Sequence, residues 1–318
     1  MTHAHADRPL LGIMLMLGFC VLIPFSDALA KLLGGVFPLL QLIIIRFIAQ
    51  TALLLPLALA RRATIFPSAR VVRLAALRTV LQIFGIALMF SALRVLPLAD
   101  AVAIAFVMPF IMLLLGRYVL DEEVGPRRLA ACAVGFIGTL MVVQPSFAAV
   151  GWPALLPVAV AVIFAFFMLV TRQVAKDVDP IALQGLGGLI GLPILLPLLA
   201  LPQIGGTPPL TGWIAPPDAG ALWLLVALGV TGSAGHLLMT WSLRFAPSAT
   251  LAPMQYLEIP VAAVVGLLIF NEFPNGLALA GIAITVASGL YIVFRERNLS
   301  RQQAREVALA GPPAPPAG

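Results

Sequence analysis

The stretch LLGIMLMLGFCVLIPF, residues 10–25, decides the class of fold. It carries no charge, and the apolar window that it opens continues to about residue 33. A helix that crosses the hydrocarbon core of a bilayer needs about 20 such residues. Polar and apolar residues do not alternate here, as they would in a barrel strand. The segment therefore predicts a transmembrane helix, which satisfies its own backbone hydrogen bonds in lipid.

Nine further apolar windows follow the first. They fall near residues 38–59, 71–93, 98–120, 128–144, 152–174, 181–201, 219–243, 248–270 and 276–294. The composition agrees, because 61% of the 318 residues are hydrophobic and 10% are charged, against roughly 25% charged in soluble domains. We predict an all-α, polytopic membrane protein of ten transmembrane helices, with no room for a sizeable soluble domain.

The basic residues set the orientation of these helices. Alternate assignment of the connections places 15 basic residues on the side of the N-terminus and leaves Lys31 and Arg94 on the other. The positive-inside rule then predicts a multi-pass protein of the inner (plasma) membrane with both termini in the cytoplasm. Orientation also accounts for the net charge of +6, so no nucleic-acid partner is expected. Residues 1–10 form a cytoplasmic N-terminus, and we expect residues 295–318 to be a disordered cytoplasmic tail.

The two halves of the chain repeat each other at an offset near 150. Gly85-Ile86-Ala87-Leu88-Met89 corresponds to Gly235-His236-Leu237-Leu238-Met239, and Arg94, Pro97 and Glu122 correspond to Arg244, Pro247 and Glu272. Residues 11–144 and 152–294 thus form two five-helix repeats. Five is odd, so the second repeat enters the membrane from the opposite face, as in the inverted repeats of secondary transporters.

The same residues resemble a known family. The motifs of the first half are IIIRF (43–47), SALRVLPLADA (91–101), LDEEV (120–124) and AACAVGFIGTLMVV (130–143), and those of the second are WSLRFAPSAT (241–250), IFNEF (269–273) and LALAGIAITVASGLYIV (277–293). Each half resembles an EamA domain of the drug/metabolite transporter superfamily. The resemblance implies two bundles around a central cavity that opens alternately to each side and moves small organic solutes. In place of the family's usual Gly-Glu, one half has Asp121-Glu122-Glu123 and the other has Asn271-Glu272, which leaves the glutamates in place.

Ionisable residues inside the spans are the candidate site, because a charge near the bilayer centre costs roughly 2.5–3.5 kcal/mol on insertion scales. Asp27 and Arg46 fall at similar depths in the outer half of neighbouring helices, so we expect an ion pair, either beside the cavity or purely structural. Glu258 lies near the centre of the ninth span with Gln255 and Tyr256. It is a candidate substrate or proton site, and its alternative role is a structural carboxyl group.

Three further polar residues are candidates for the inner half of the substrate pathway: Arg78, Gln82 and His236. Arg78 could instead extend to the cytoplasmic surface, and a single buried histidine is more often structural. Arg94 and Asp100 flank a short outer turn and could pair there. Cys20 and Cys132 lack C-x-x-C spacing, so neither a metal site nor a cofactor is expected.

These features favour a secondary transporter over other classes. A primary pump needs the phosphate-binding motif G-x-x-x-x-G-K-[ST], which the chain lacks, and an intramembrane enzyme, the remote alternative, would need a convergent nucleophile and base. A carboxyl group, an arginine and the aromatic residues Phe106, Tyr256 and Trp241 favour an amino-acid-like, aromatic or zwitterionic solute. The family resemblance favours export, with protons as a candidate coupling ion. The alternative is an uptake carrier for a metabolite such as riboflavin or S-adenosylmethionine. The sequence does not decide between a monomer and a homodimer.

Overall fold

The structure is a computed structural model that describes residues 9–108, 110–111, 115, 126–175, 177–204, 208–245, 251 and 254–310. Within these residues there are ten α-helices and no strand. The helices are α1 Pro9–Gly34, α2 Leu39–Ala60, α3 Ala69–Leu93, α4 Leu98–Ala105, α5 Pro126–Val150, α6 Leu156–Val174, α7 Pro180–Leu195, α8 Ala219–Phe245, α9 Glu258–Phe270 and α10 Gly276–Ala310. Short 3₁₀ turns, Trp152–Leu155 and Leu196–Ala200, precede α6 and extend α7.

Seven of the described helices are long and apolar enough to cross a membrane, and α9 and the first part of α10 are shorter apolar helices. The protein is therefore a multi-pass, all-α membrane protein, as its sequence predicts. One expectation is wrong. Residues 295–310, expected in a disordered tail, continue α10 as far as Ala310; residues 311–318 lie outside the described part.

Local capping explains where several helices begin and end. The Ser68 hydroxyl accepts a hydrogen bond from the Val71 N–H at the start of α3. Asp179 caps α7 by accepting bonds from Ile181 and Ala182, with Pro180 at the first helical position, where a missing N–H costs nothing. Asn271 ends α9 in the left-handed conformation, with φ of 55°, which asparagine tolerates better than most residues.

The helices pack in pairs that each join the two halves. The main partners are α1 with α8, α3 with α6, α2 with α7, α4 with α9, and α5 with α10. If α1–α5 are matched to α6–α10 in order, exchanging the halves converts this set of pairs into itself. The packing therefore has the pseudo-two-fold symmetry of a duplicated five-helix unit.

The fourth and ninth windows are each interrupted at the equivalent place. Phe106 and Val107 form a turn after α4, and Tyr256 and Leu257 form a turn before α9, again 150 residues apart. The rings of Phe106 and Tyr256 meet with centroids 5.3 Å apart. Interrupted transmembrane helices near the middle of a bundle are where transporters commonly build their solute sites.

Candidate functional site

A cavity of about 110 Å³ lies beside these two turns, large enough for several water molecules. Its wall is built by α1, α2, α3, α6 and α8, together with the interrupted fourth and ninth helices. The polar residues of the wall are Asp27, Arg46, Gln82, His236, Gln255 and Glu258. Six of the eight residues proposed from the sequence therefore lie around one cavity, and Arg78 and Tyr256 are the two that do not.

Aromatic and aliphatic side chains make up the rest of the wall. Five phenylalanines contribute: Phe19, Phe90, Phe106, Phe164 and Phe167. Phe164 and Phe167 stack, with ring centroids 5.5 Å apart. Phe167 and His236 meet edge to face, with ring centroids 5.8 Å apart. Rings arranged in this way present flat apolar surfaces to a bound ligand. Of these five, Phe106 is the one expected from the sequence. The sequence pattern could not distinguish the other four, because the same residue type is also exposed on the outside of the bundle, as Phe166 is.

Two carboxyl groups face the cavity. Asp27 is 4% exposed and Glu258 begins α9 directly after the turn. Neither makes a hydrogen bond or an ion pair within 4.0 Å to another described residue; the ion pair expected between Asp27 and Arg46 is not formed. Arg46 instead donates a 3.4 Å hydrogen bond to the Ser26 hydroxyl and lies over the Phe90 ring, 5.6 Å from its centroid.

Arg78 neither reaches the cytoplasmic surface nor lines the cavity. It is fully buried and lies over the Phe167 ring, 4.5 Å from its centroid. Its guanidinium group donates to Thr171 (2.9 Å), Gln184 (3.4 Å) and Thr240 (3.3 Å), which belong to α6, α7 and α8. One arginine of the first half thus binds three helices of the second half.

Hydrogen-bonded amides extend this polar cluster towards the cavity. Gln82 donates to the Gln50 side chain at 3.2 Å, and Gln50 donates to the backbone carbonyl of Gln184 at 2.7 Å. Gln82 belongs to the cluster and to the cavity wall at once. Sequence reasoning missed Gln50 and Gln184, although uncharged amides inside a span are a detectable signal.

Tyr256 is packed away from the cavity. Its ring lies between Phe106 and Gly289, where a Cβ atom would collide with it. Trp241, expected among the cavity aromatics, instead packs partly buried against a separate apolar cluster that includes Leu54 and Val71. Both residues therefore support the helices around the site.

A second polar cluster joins helix ends on the side that the sequence predicts to be the outer one. Lys31 of α1 contacts both carboxylate oxygens of Glu272 at 2.7 Å and also donates to the Leu96 carbonyl. Glu272 also accepts a hydrogen bond from the Leu98 N–H. The pairing of Arg94 with Asp100 that the sequence suggested is not formed. Arg94 donates to the backbone carbonyls of Phe37 and Pro208, and Asp100 accepts a hydrogen bond from the Ser146 hydroxyl.

Comparison with known proteins agrees with this architecture. The EamA-like transporter family matches residues 10–144 and again residues 151–294. The chain belongs to the EamA-like transporter family. A riboflavin transporter of Rhizobium johnstonii is 29% identical over 71% of this chain and 72% of its own length. An S-adenosylmethionine uptake transporter of Rickettsia prowazekii is 24% identical over 86% of this chain and 89% of its own.

Two more comparisons extend the match. A riboflavin transporter of Vibrio cholerae is 27% identical over 71% of this chain and 73% of its own length. A solved crystal structure superposes with a TM-score of 0.63 at 20% identity, covering 91% of this chain and 98% of that one, and it supports the fold alone. The EamA relatives are named as transporters of small molecules, which points away from an enzyme.

Proposed function

We propose that this EamA-family protein carries a small metabolite with an aromatic or heterocyclic ring across the inner membrane by alternating access. The single observation that carries the proposal is the central cavity, where five phenylalanine rings surround polar groups that lack partners. Flat apolar walls suit a planar ring, and the polar groups suit its substituents. The solutes in the relatives' names, riboflavin and S-adenosylmethionine, both contain such a ring.

The direction of transport that we propose is uptake. The sequence resemblance alone favours export, but the Rickettsia relative is named as an uptake transporter. We place both termini in the cytoplasm, on the basis of the positive-inside rule. To distinguish uptake from export, labelled solute is placed on one side of proteoliposomes in which the protein has a known orientation, and its movement to the other side is measured.

Counterflow in proteoliposomes tests the proposal directly. Purified protein is reconstituted with unlabelled riboflavin or S-adenosylmethionine inside, and entry of the same labelled compound is measured. A carrier gives a transient overshoot that saturates with concentration, whereas a channel gives simple equilibration. If neither these compounds nor other ring-bearing metabolites produce saturable flux, the proposal fails.

A matched pair of variants tests the role of the rings. Phe167 is 1% exposed and lines the cavity, and its neighbour Phe166 is 41% exposed and does not. Phe167→Ala should reduce kcat/KM for the ring-bearing solute about tenfold, because aromatic pairing and burial are lost. Phe166→Ala should leave it within about twofold. Equal losses in both variants would mean that the cavity rings do not contact the solute.

Proton coupling is part of the proposal and rests on Glu258. Its carboxyl group faces the cavity without a described partner, which suits a group that takes up and releases a proton during transport. Glu258→Gln should abolish stimulation of uptake by a pH gradient while leaving exchange of labelled for unlabelled solute intact. Glu258→Asp should keep part of the stimulation. If uptake by Glu258→Gln is still stimulated by a pH gradient, Glu258 does not couple transport to protons.

A further inference from the structure

Arg46 occupies an unusual position for a charged side chain. It belongs to α2, is 5% exposed and lines the central cavity. Its guanidinium group lies over the Phe90 ring and so close to Gly232 of α8 that a Cβ atom there would collide with it. A planar cation with a ring and a glycine backbone as neighbours has little room to turn, so the fold restricts the direction of its N–H donors.

The hydrogen bonds of Arg46 are far fewer than its donors. A guanidinium group has five N–H donors, but Arg46 makes one hydrogen bond, a long 3.4 Å contact with the Ser26 hydroxyl, and its Nη2 atom has no partner. Arg78, equally deep in the bundle, donates to three side-chain oxygens. Of these two buried arginines, the one on the cavity wall is the one left unsatisfied.

The missing partner is not supplied by the nearby acid. Asp27 lines the same cavity, yet no ion pair within 4.0 Å joins it to Arg46. Buried charges in proteins are normally paired because leaving one unpaired is costly. A guanidinium group that has little room to turn, faces a cavity and lacks an ion-pair partner within 4.0 Å has the chemistry of an anion-binding site.

We infer that Arg46 binds an anionic group, a carboxylate or a phosphate, on the ring-bearing solute. The inference rests on the proposed function and deepens it, because it selects acidic metabolites over neutral ones of the same ring. Phe90 and Gly232 are positioning residues for the guanidinium group. A Cβ atom at position 232 would lie 2.5–2.6 Å from its Cζ, Nε and Nη2 atoms, so only glycine leaves it in place.

Matched solute pairs test the inference in proteoliposomes. The probes are riboflavin 5′-phosphate against riboflavin, and S-adenosylmethionine against its carboxyl methyl ester. In each pair the first compound, called the acidic member, carries a free phosphate or carboxylate and the second lacks it. The measured quantity is the ratio of kcat/KM for these two members, which is independent of the amount of active protein. We expect the natural protein to prefer the acidic member of at least one pair tenfold or more, as a charged hydrogen bond provides. Preference in only the phosphate pair or only the carboxylate pair identifies which anion is bound.

Variants then assign that preference to Arg46. Arg46→Gln should bring the ratio close to one, and Arg46→Lys should retain part of it because the charge remains without the planar donors. Gly232→Ala should lower the ratio by displacing the guanidinium group. Gly229→Ala is the matched control. Its Cβ atom would lie equally close, 2.5 Å, to Ala49 Cβ across the same helix interface, but no atom of Arg46 is among its nearest neighbours. The ratio should therefore stay unchanged in this variant.

Two results would overturn the inference. A natural protein that carries ring-bearing solutes without preferring either acidic member, or an Arg46→Gln variant that keeps the full preference, contradicts anion binding and leaves the proposed function standing. Absence of saturable flux for every ring-bearing compound contradicts both. Size-exclusion chromatography of each variant shows whether it is folded, and thermal stabilisation of the purified protein by the acidic compound gives a second readout that does not need transport.

Discussion

At the scale of single residues, the structure divides its buried charges into two kinds. Arg78 is a satisfied cation whose three acceptors lie on three helices of the other half. Arg46, Asp27 and Glu258 face the cavity and are poorly satisfied by the protein itself. Satisfied charges specify packing, whereas unsatisfied ones are available to a solute or a proton.

Replacing Arg78 should therefore affect stability before it affects solute selectivity. Arg78→Leu removes three hydrogen bonds and leaves part of the polar cluster without a donor, so we expect a loss of about 2 kcal/mol. Arg73→Leu is the matched control, because Arg73 lies on the same helix but is exposed, and the change should have no measurable effect. Unfolding of both purified variants by SDS in mixed micelles measures the difference. Equal stability would mean that the buried hydrogen bonds contribute nothing net.

Sequence reasoning located the charged residues of the site and Phe106, and missed the other four rings, for one physical reason. Asp27 and Glu258 stand out because lipid excludes ionised groups, so their presence in a span signals a special environment. Phenylalanine is as favourable in lipid as in a cavity, and its position along the chain carries no such signal. The failed pairing of Asp27 with Arg46 has a related cause. Equal depth is necessary for contact, but it does not fix the distance between the two side chains, which here face the same cavity without meeting.

At the scale of helices, an ion pair connects the C-terminal end of α1 to the C-terminal end of α9. Lys31 and Glu272 are 14% and 31% exposed at the side chain, and the Phe270 ring lies beneath Lys31, 5.0 Å from Nζ to its centroid. The contact also includes the Leu96 carbonyl and the Leu98 N–H, so the turn between α3 and α4 is bound to the same point. It connects helices from both halves.

A double-mutant cycle measures how strongly this contact holds the two halves together. Lys31→Met and Glu272→Gln should each destabilise the protein by about 1 kcal/mol, since the pair is only partly shielded from water. The double variant should cost less than the sum of the two, and the exchanged pair Lys31→Glu with Glu272→Lys should recover part of the loss. Strict additivity would show that the two charges do not interact in the folded protein.

Apolar windows predict helix ends well where water or a capping residue ends them, and poorly where packing does. The windows 38–59 and 71–93 match α2 and α3 to within two residues. In contrast, α5 runs on to Val150, beyond the predicted 144. The turns at 106–107 and 256–257 interrupt apolar sequence, and hydropathy cannot detect them because the residues on both sides are equally apolar.

At the scale of the whole molecule, several basic residues on the predicted inner side are exposed, whereas the two on the predicted outer side are bound to protein groups. Lys31 and Arg94, on the predicted outer side, are both bound to protein groups. Arg61 and Arg62, on the predicted inner side, are exposed. Exposed cations close to a membrane surface meet anionic lipid headgroups, and this attraction favours the cytoplasmic leaflet. The exposed arginines and the charge count thus predict the same orientation.

Reporter fusions test that orientation. Alkaline phosphatase, which is active only outside the cytoplasm, should be active when inserted after Gly35, in the short turn between α1 and α2, and inactive after Ala63, in the loop that follows Arg62. Green fluorescent protein should give the reverse result at the same two positions, since it fluoresces when folded in the cytoplasm. Substituting Arg61, Arg62, Arg70 and Arg73 together by glutamine should raise phosphatase activity at the second position, because it removes four of the charges that retain this loop. Phosphatase activity after Ala63 in the unsubstituted protein would show that the topology is the inverse of the predicted one. The cavity would then receive its solute from the opposite side of the membrane.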